Sequence, residues 1–230
     1  METRQEAAFW DTIKAFNELG ILNHVMIIGS WAEYLFPSLF KTSFIPNIRT
    51  RDVDFFYRNI NIPTHKIPII DKLKEHGFIH EIDRCSEVSR FYKEDLLEIE
   101  FLTRSIGNAS KLSYPIRALG IKSEGLRIIN ILADYACEIE RNGYNLIVPE
   151  PAAYIMQKIL ANPTRSPISK KVKDMIAVEE LLVHIKQNDY HSSKLTEIYR
   201  KLTLKQLNIA HRVVTEYHIE LFKRMVDEIE

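Results

Sequence analysis

Two neighbouring stretches decide how this chain folds: Met26-Ile27-Ile28-Gly29-Ser30-Trp31-Ala32-Glu33-Tyr34 and Thr50-Arg51-Asp52-Val53-Asp54-Phe55-Phe56-Tyr57. The second places two acids, one residue apart, inside an apolar run that reads as a β-strand, where acids are depleted. Residues i and i+2 of a strand point the same way, so Asp52 and Asp54 share one face and stand close together. Like charges so placed repel and raise each other's pKa unless something positive lies between them, and a divalent cation is the obvious candidate. The first stretch reads as a short strand, His24 to Ile28, followed by Gly29-Ser30 turning into a helix that carries Trp31, Tyr34 and Leu35. Backbone N–H groups at such a helix start can hold an anion. Glycine lets a phosphate approach closely, and the serine hydroxyl can donate to its oxygen.

A later strand, Leu96-Leu97-Glu98-Ile99-Glu100-Phe101-Leu102, carries two more acids on one face. Turn, aspartate pair and later acid together describe a two-metal phosphoryl-transfer site, in which carboxylates hold two cations about 3.5–4 Å apart. Each piece alone has a blander reading. Gly-Ser turns are common, an isolated Asp-x-Asp is more often a solvated edge strand or turn, and Glu98 and Glu100 could simply pair with Lys or Arg. The order strand, helix, strand, later strand is what favours chemistry. Asp52, Asp54 and Glu100 are therefore expected to converge on one cleft.

The rest of the chain limits the alternatives. Its 230 residues are 46% hydrophobic, enough for one large domain or two small ones. Lys+Arg and Asp+Glu number 31 each, so net charge does not point to a nucleic-acid partner. The two cysteines, Cys85 and Cys137, form neither a disulfide framework nor a zinc knuckle. The first residues lack a signal-peptide core, and no apolar run approaches the roughly 18 residues of a membrane span, so a soluble, cytoplasmic protein with no membrane partner is expected. GxxxxGK[ST] and GxGxxG are both absent, which removes most of the weight from P-loop and Rossmann readings.

Periodicity predicts helices over 4–19 and 65–76, strands at 78–83, 88–92 and 96–102, and a loop over 37–50. Ser123 reads as the cap of a helix over 124–133. Tyr135–Glu140 and Tyr144–Val148 read as a hairpin around Asn142-Gly143. After Pro149-Glu150-Pro151 only helices are predicted: 151–161, 168–187, 191–200 and 203–228. The economical division is an α+β domain with a mixed sheet over 1–148 and a helical domain over 149–230.

With those residues in view, Gly29-Ser30 and Thr50-Arg51-Asp52-Val53-Asp54-Phe55 resemble the signature of the DNA polymerase β-like nucleotidyltransferase superfamily. Val148-Pro149-Glu150-Pro151-Ala152-Ala153-Tyr154 through Lys158, then Arg165 and Lys171-Val172-Lys173-Asp174, is similar to a region of its stand-alone prokaryotic members, including those related to abortive-infection toxins. The resemblance spans roughly residues 24–185. It implies a nucleotidyltransferase fold with a helical C-terminal domain, and Mg²⁺ (or Mn²⁺) held by Asp52, Asp54 and Glu100. It also implies nucleotide contacts from Gly29, Ser30, Lys158, Arg165 and Lys173. In the superfamily the third carboxylate helps deprotonate the acceptor hydroxyl; Glu98 is an equally spaced competitor for that place. The implied partners are an NTP and an acceptor that is a protein, a tRNA or a small molecule, and the toxin likeness admits an antitoxin-like protein.

The remaining features stay open. Lys170, Lys171 and Lys173 near Arg165 read equally as a phosphate or RNA contact and as a solvated helix start. Asp174 reads as a salt-bridge partner for a nearby basic side chain. The eight histidines show no ligand spacing, and Trp10, Trp31, Phe55 and Phe56 read as core. The leading reading is a metal-dependent transfer of a nucleoside monophosphate from an NTP to an acceptor hydroxyl, releasing pyrophosphate. Two rivals remain: a metal-dependent nuclease, and a non-catalytic module that keeps the fold for binding.

Overall fold

The computed structural model describes residues 3–40, 50–105, 113–126 and 129–227. They divide into two compact units. The first contains residues 3–38, 50–105, 113–126 and 137–148; the second contains 39–40, 129–136 and 149–227.

The first unit opens with α1 (Arg4–Glu18), whose start is a reciprocal capping box between Thr3 and Glu6. Its buried stripe is Ala8, Phe9, Thr12, Ile13, Ala15 and Phe16. Then come β1 (Val25–Ile28), α2 (Gly29–Leu35), β2 (Asp52–Tyr57), α3 (Ile69–Glu75), β3 (Ile79–Ile82), β4 (Ser89–Lys93), β5 (Leu97–Arg104), β6 (Ser113–Ile116) and β7 (Ile121–Leu126). A two-stranded hairpin, β8 (Ala136–Arg141) and β9 (Tyr144–Pro149), turns through Asn142 and Gly143, both at positive φ, as a primed two-residue turn requires.

The sheet runs β1-β2-β5-β4-β3, and β7 joins the far end of β5 with β6 beside it. β2 pairs parallel with β5, and β7 does too; the other pairs are antiparallel, so the sheet is mixed as expected. Alternation along the two central strands sorts side chains by face. Val53, Phe55, Ile99 and Phe101 point into the core, where Phe16 lies 4.7 Å from Phe55 and 5.8 Å from Phe101 between ring centroids. Fully burying each such ring contributes roughly 1.5–3 kcal/mol. The alternate positions carry the acids.

The second unit contains α4 (Asn130–Asp134), α5 (Pro151–Ala161), α6 (Ile168–Lys186), α7 (Asp189–Arg200), α8 (Leu204–Glu216) and α9 (Glu220–Asp227). α5 is its centre and is buried along nearly its whole length. Pro151 opens it with a pre-set φ. Glu150 caps it, accepting from Ala152 N at 2.7 Å and Ala153 N at 3.2 Å, while its other oxygen meets His191 Nδ1 at 2.5 Å. No described helix is long and apolar enough to cross a membrane.

Several expectations need correction. Ser123 caps no helix. It lies buried inside β7, with its hydroxyl 3.1 Å from Thr103 Oγ1 and from the Tyr114 carbonyl, and the helix begins only at Asn130. β6 was not anticipated. The helix expected over 65–76 is shorter, Ile69–Glu75, because a residue before proline disfavours helical backbone and Pro68 follows Ile67. The single helix expected over 203–228 is broken at Tyr217–His218, where His218 adopts φ 55°. The loop expected over 37–50 begins with a short 3₁₀ turn, Phe36–Ser38, and its residues 41–49 lie outside those described.

Candidate active site

Gly29 follows β1 directly, and the register sets Ile28 opposite Asp54. Gly29 has φ +67°, and a methyl group placed on it would lie 2.7 Å from Asp54 Oδ2. The turn therefore needs glycine twice, once for its backbone and once for the carboxylate beside it. Ser30 is tied to the start of the aspartate strand: its Oγ lies 2.8 Å from Thr50 Oγ1. The Thr50 carbonyl in turn accepts from Trp31 Nε1 at 3.1 Å and Gln5 Nε2 at 3.1 Å. Thr50, read from sequence only as part of the motif, is thus the knot that joins turn, strand and first helix.

Parallel pairing of β2 with β5 sets Asp52 opposite Glu98 and Asp54 opposite Glu100. Paired residues share a face, so four carboxylates stand on one side of two adjacent strands. Asp52 is exposed, and Asp54, Glu98 and Glu100 are partly buried. β4 adds Arg90 opposite Glu100 and Tyr92 opposite Glu98. Arg90 Nε lies 2.8 Å from Glu100 Oε1 and 3.8 Å from Glu98 Oε1. Burial pushes the Glu100 carboxyl up to about 7; Arg90 pulls it down, while Asp54, Glu98 and Glu124 add to the rise. Burial also raises the Tyr92 phenol.

Gly29, Ser30, Asp52, Asp54 and Glu100 thus belong to one face and one end of the first unit. Among the described residues, no group of three or more His, Cys, Asp or Glu side chains is arranged to hold a metal ion. Glu100 is engaged by Arg90. The donor chemistry nonetheless suits a divalent cation, since carboxylate oxygens are what hard cations prefer.

Lys158, Arg165 and Lys173 belong to the second unit. The Lys158 ammonium is buried against Asp174 Oδ1 at 2.6 Å, and Arg165 Nε meets Asp174 Oδ2 at 2.8 Å. Burial alone would raise the Asp174 carboxyl, but the two cations outweigh it and hold it below the ordinary range. Lys173 is partly exposed on α6. Tyr34 is buried against Phe9, Trp31 and the Arg141 guanidinium, which lies 4.4 Å from its ring centroid. A separate cavity of about 640 Å³ lies among the helices, lined in part by Tyr135, Tyr190, Lys194, Glu197 and Lys201; none of the candidate site residues lines it. Sequence reading missed Arg90, whose partner is set by strand register rather than by spacing along the chain.

No curated protein matches the sequence. Among the solved structures that match, two align along most of the chain. One is an antigenic nucleotidyltransferase-like protein from Paracoccidioides brasiliensis, at 18% identity and TM-score 0.47, covering 92% of this chain and 94% of that one. The other is the antibiotic-resistance factor ANT(2'')-Ia, at 13% identity and TM-score 0.40, covering 98% and 90%. The nucleotidyltransferase family model matches residues 8–203, which takes in the whole of the glycine turn, both aspartates and the acidic strand, and the chain belongs to that family.

Proposed function

We propose that this nucleotidyltransferase moves a nucleoside monophosphate from an NTP to an acceptor hydroxyl and releases pyrophosphate, with Mg²⁺ or Mn²⁺ held by Asp52, Asp54 and Glu100. The observation that carries the reading is the fit of Gly29 to Asp54, 2.7 Å from a would-be Cβ to Oδ2, which welds the phosphate-type turn to the acidic strand. Gly29 and Ser30 would receive the phosphates on backbone and hydroxyl donors. Ser30 would have to turn from Thr50 Oγ1 to do so, or share its hydroxyl. Glu100, held as a carboxylate by a bound cation, would accept the proton of the acceptor hydroxyl. A divalent cation bound by the carboxylates would neutralise charge on the transferring phosphoryl group.

Lys158, Arg165 and Lys173 are proposed as nucleotide-binding residues of the helical unit. For Lys158 and Arg165 this requires a phosphate to compete with Asp174, which now holds both. The acceptor class, an antitoxin-like partner, the stand-alone prokaryotic branch and a cytoplasmic location rest on the resemblance and the composition alone. A second reading, a fold kept for binding without catalysis, is favoured by the Arg90–Glu100 ion pair, which engages the third carboxylate. Pyrophosphate release from each NTP in the presence of Mg²⁺, with an RNA or protein mixture supplied as acceptor, tests the proposal. Release that Asp54→Asn abolishes supports it; no release under any combination leaves the binding module.

A further inference from the structure

Arg90 is a cation on the acidic face that the proposed reaction does not use. Across the sheet the register aligns Ile28, Asp54, Glu100, Arg90 and Glu81 in one row. The next row is Asp52, Glu98, Tyr92 and Ile79. Arg90 therefore stands beside both glutamates and one strand further from both aspartates. Its side chain is 38% exposed, whereas those of Glu98 and Glu100 are 21% and 20% exposed. It stands beside the two glutamates, whereas Asp54 lies beside Gly29.

We propose that Arg90 is a positioning residue that holds Glu98 and Glu100 in the metal-free protein and competes with the divalent cation for Glu100, thereby setting cation affinity. The inference rests on the metal-dependent reading above. Its physical basis is the geometry of the contact. A guanidinium stays charged at any working pH and binds carboxylates most tightly through a two-pronged fork. Here the 2.8 Å approach is by Nε, and that Nε has no well-aligned acceptor. An ion pair of this kind keeps its electrostatic pull but forfeits the directed hydrogen bonds, so an incoming cation can displace it. A cation that takes Glu100 must then do so against a fixed positive charge. In a solvated cleft that repulsion amounts to about tenfold in affinity. With no cation bound, the same charge relieves repulsion among the glutamates and stabilises the sheet.

The test reads cation binding rather than turnover. Free Mn²⁺ is titrated by electron paramagnetic resonance, without nucleotide, into the full chain and its Arg90→Gln, Arg90→Lys and Asp54→Asn variants, with thermal melts in parallel. Arg90→Gln is expected to bind Mn²⁺ about tenfold more tightly than the unaltered chain. It should also melt lower without Mn²⁺ and recover when Mn²⁺ is added. Arg90→Lys, which keeps the charge, should bind close to the unaltered chain. Arg90→Gln binding equally or more weakly overturns the proposal. If that happens while Asp54→Asn still abolishes binding, the metal reading stands and only the role of Arg90 falls. If the folded chain and folded Arg90→Gln both fail to bind, the metal reading falls and takes the proposal with it. Should Arg90→Gln not fold, Glu98→Gln and the double variant Arg90→Gln/Glu98→Gln carry the same comparison, and no gain on removing Arg90 overturns it.

Discussion

Replacing Gly29 with alanine imposes two separable costs. The first is in the backbone. At φ +67° an L-residue is strained by about 1–2 kcal/mol. The second is a collision: the new methyl would sit 2.7 Å from Asp54 Oδ2, whereas Asp54 Cγ at 3.6 Å and Cβ at 3.8 Å are already at ordinary contact distance. Only the carboxylate oxygen has to move, by about 1 Å, to reach the usual 3.5–4.0 Å separation. Turning the side chain off its rotamer to do so costs about 0.5–1.5 kcal/mol. The expected loss is about 2–3 kcal/mol, a fall of roughly 4–12 °C in Tm for a chain of this size. In an Asp54→Ala background only the 3.8 Å contact remains, so Gly29→Ala should cost the backbone strain alone. Urea unfolding followed by circular dichroism on all four proteins measures the cycle, and the coupling should be about 0.5–1.5 kcal/mol. Pyrophosphate release by Gly29→Ala should drop about a hundredfold, the scale for a 1 Å misplacement of a reacting group. An equal cost in both backgrounds, together with undiminished release, would refute the reasoning.

Asp54→Asn should abolish transfer while leaving the metal-free melt unchanged or slightly raised, because one of several crowded carboxylates loses its charge; a melt lowered by many degrees would mean that Asp54 holds the fold together. Glu100 has a folded pKa of about 7, above the usual value of 4.5, so the folded chain holds this proton more tightly than the unfolded one. Its contribution is fully present below pH 4.5 and is lost as pH climbs through about 7, a decline on the order of 3 kcal/mol. Glu100→Gln should flatten that part of the stability–pH curve, and an unchanged slope would contradict the assignment. Asp174 has the opposite sign. Its lowered carboxyl stabilises the fold above the ordinary value of 3.8, and that stability drains away as pH falls below it, a limb that Asp174→Asn should remove. Lys158→Ala leaves Asp174 buried with one cation fewer and should cost about 3–5 kcal/mol, read by chemical denaturation. NTP affinity measured on the folded fraction decides the proposed nucleotide role: weakening by one to three orders of magnitude supports it, and unchanged affinity assigns Lys158 to structure alone.

What could be read from the chain by itself was whatever is written locally. The Gly29-Ser30 turn, the strand Asp52–Tyr57, the Asn142-Gly143 hairpin and the helix opened by Pro151 each follow from dihedral preferences or side-chain periodicity within a few residues. The shared face of Asp52 and Asp54 follows from the two-residue repeat of any strand. What needed the tertiary structure was every feature whose cause lies far along the chain. Ser123 has the chemistry of a helix cap, yet Thr103 and Tyr114, brought to it by the sheet, offer its hydroxyl partners inside a strand. Lys158 reads from the sequence as a phosphate ligand, and only folding reveals Asp174 2.6 Å away, sixteen residues on, across two helices. Glu98 and Glu100 are indistinguishable in sequence, and only the β4–β5 register gives Arg90 its 2.8 Å approach to Glu100 rather than Glu98. Backbone geometry is a short-range property and leaves its mark on adjacent residues. Electrostatic partnership depends on distance in space and on burial, and neither exists until the strands have paired.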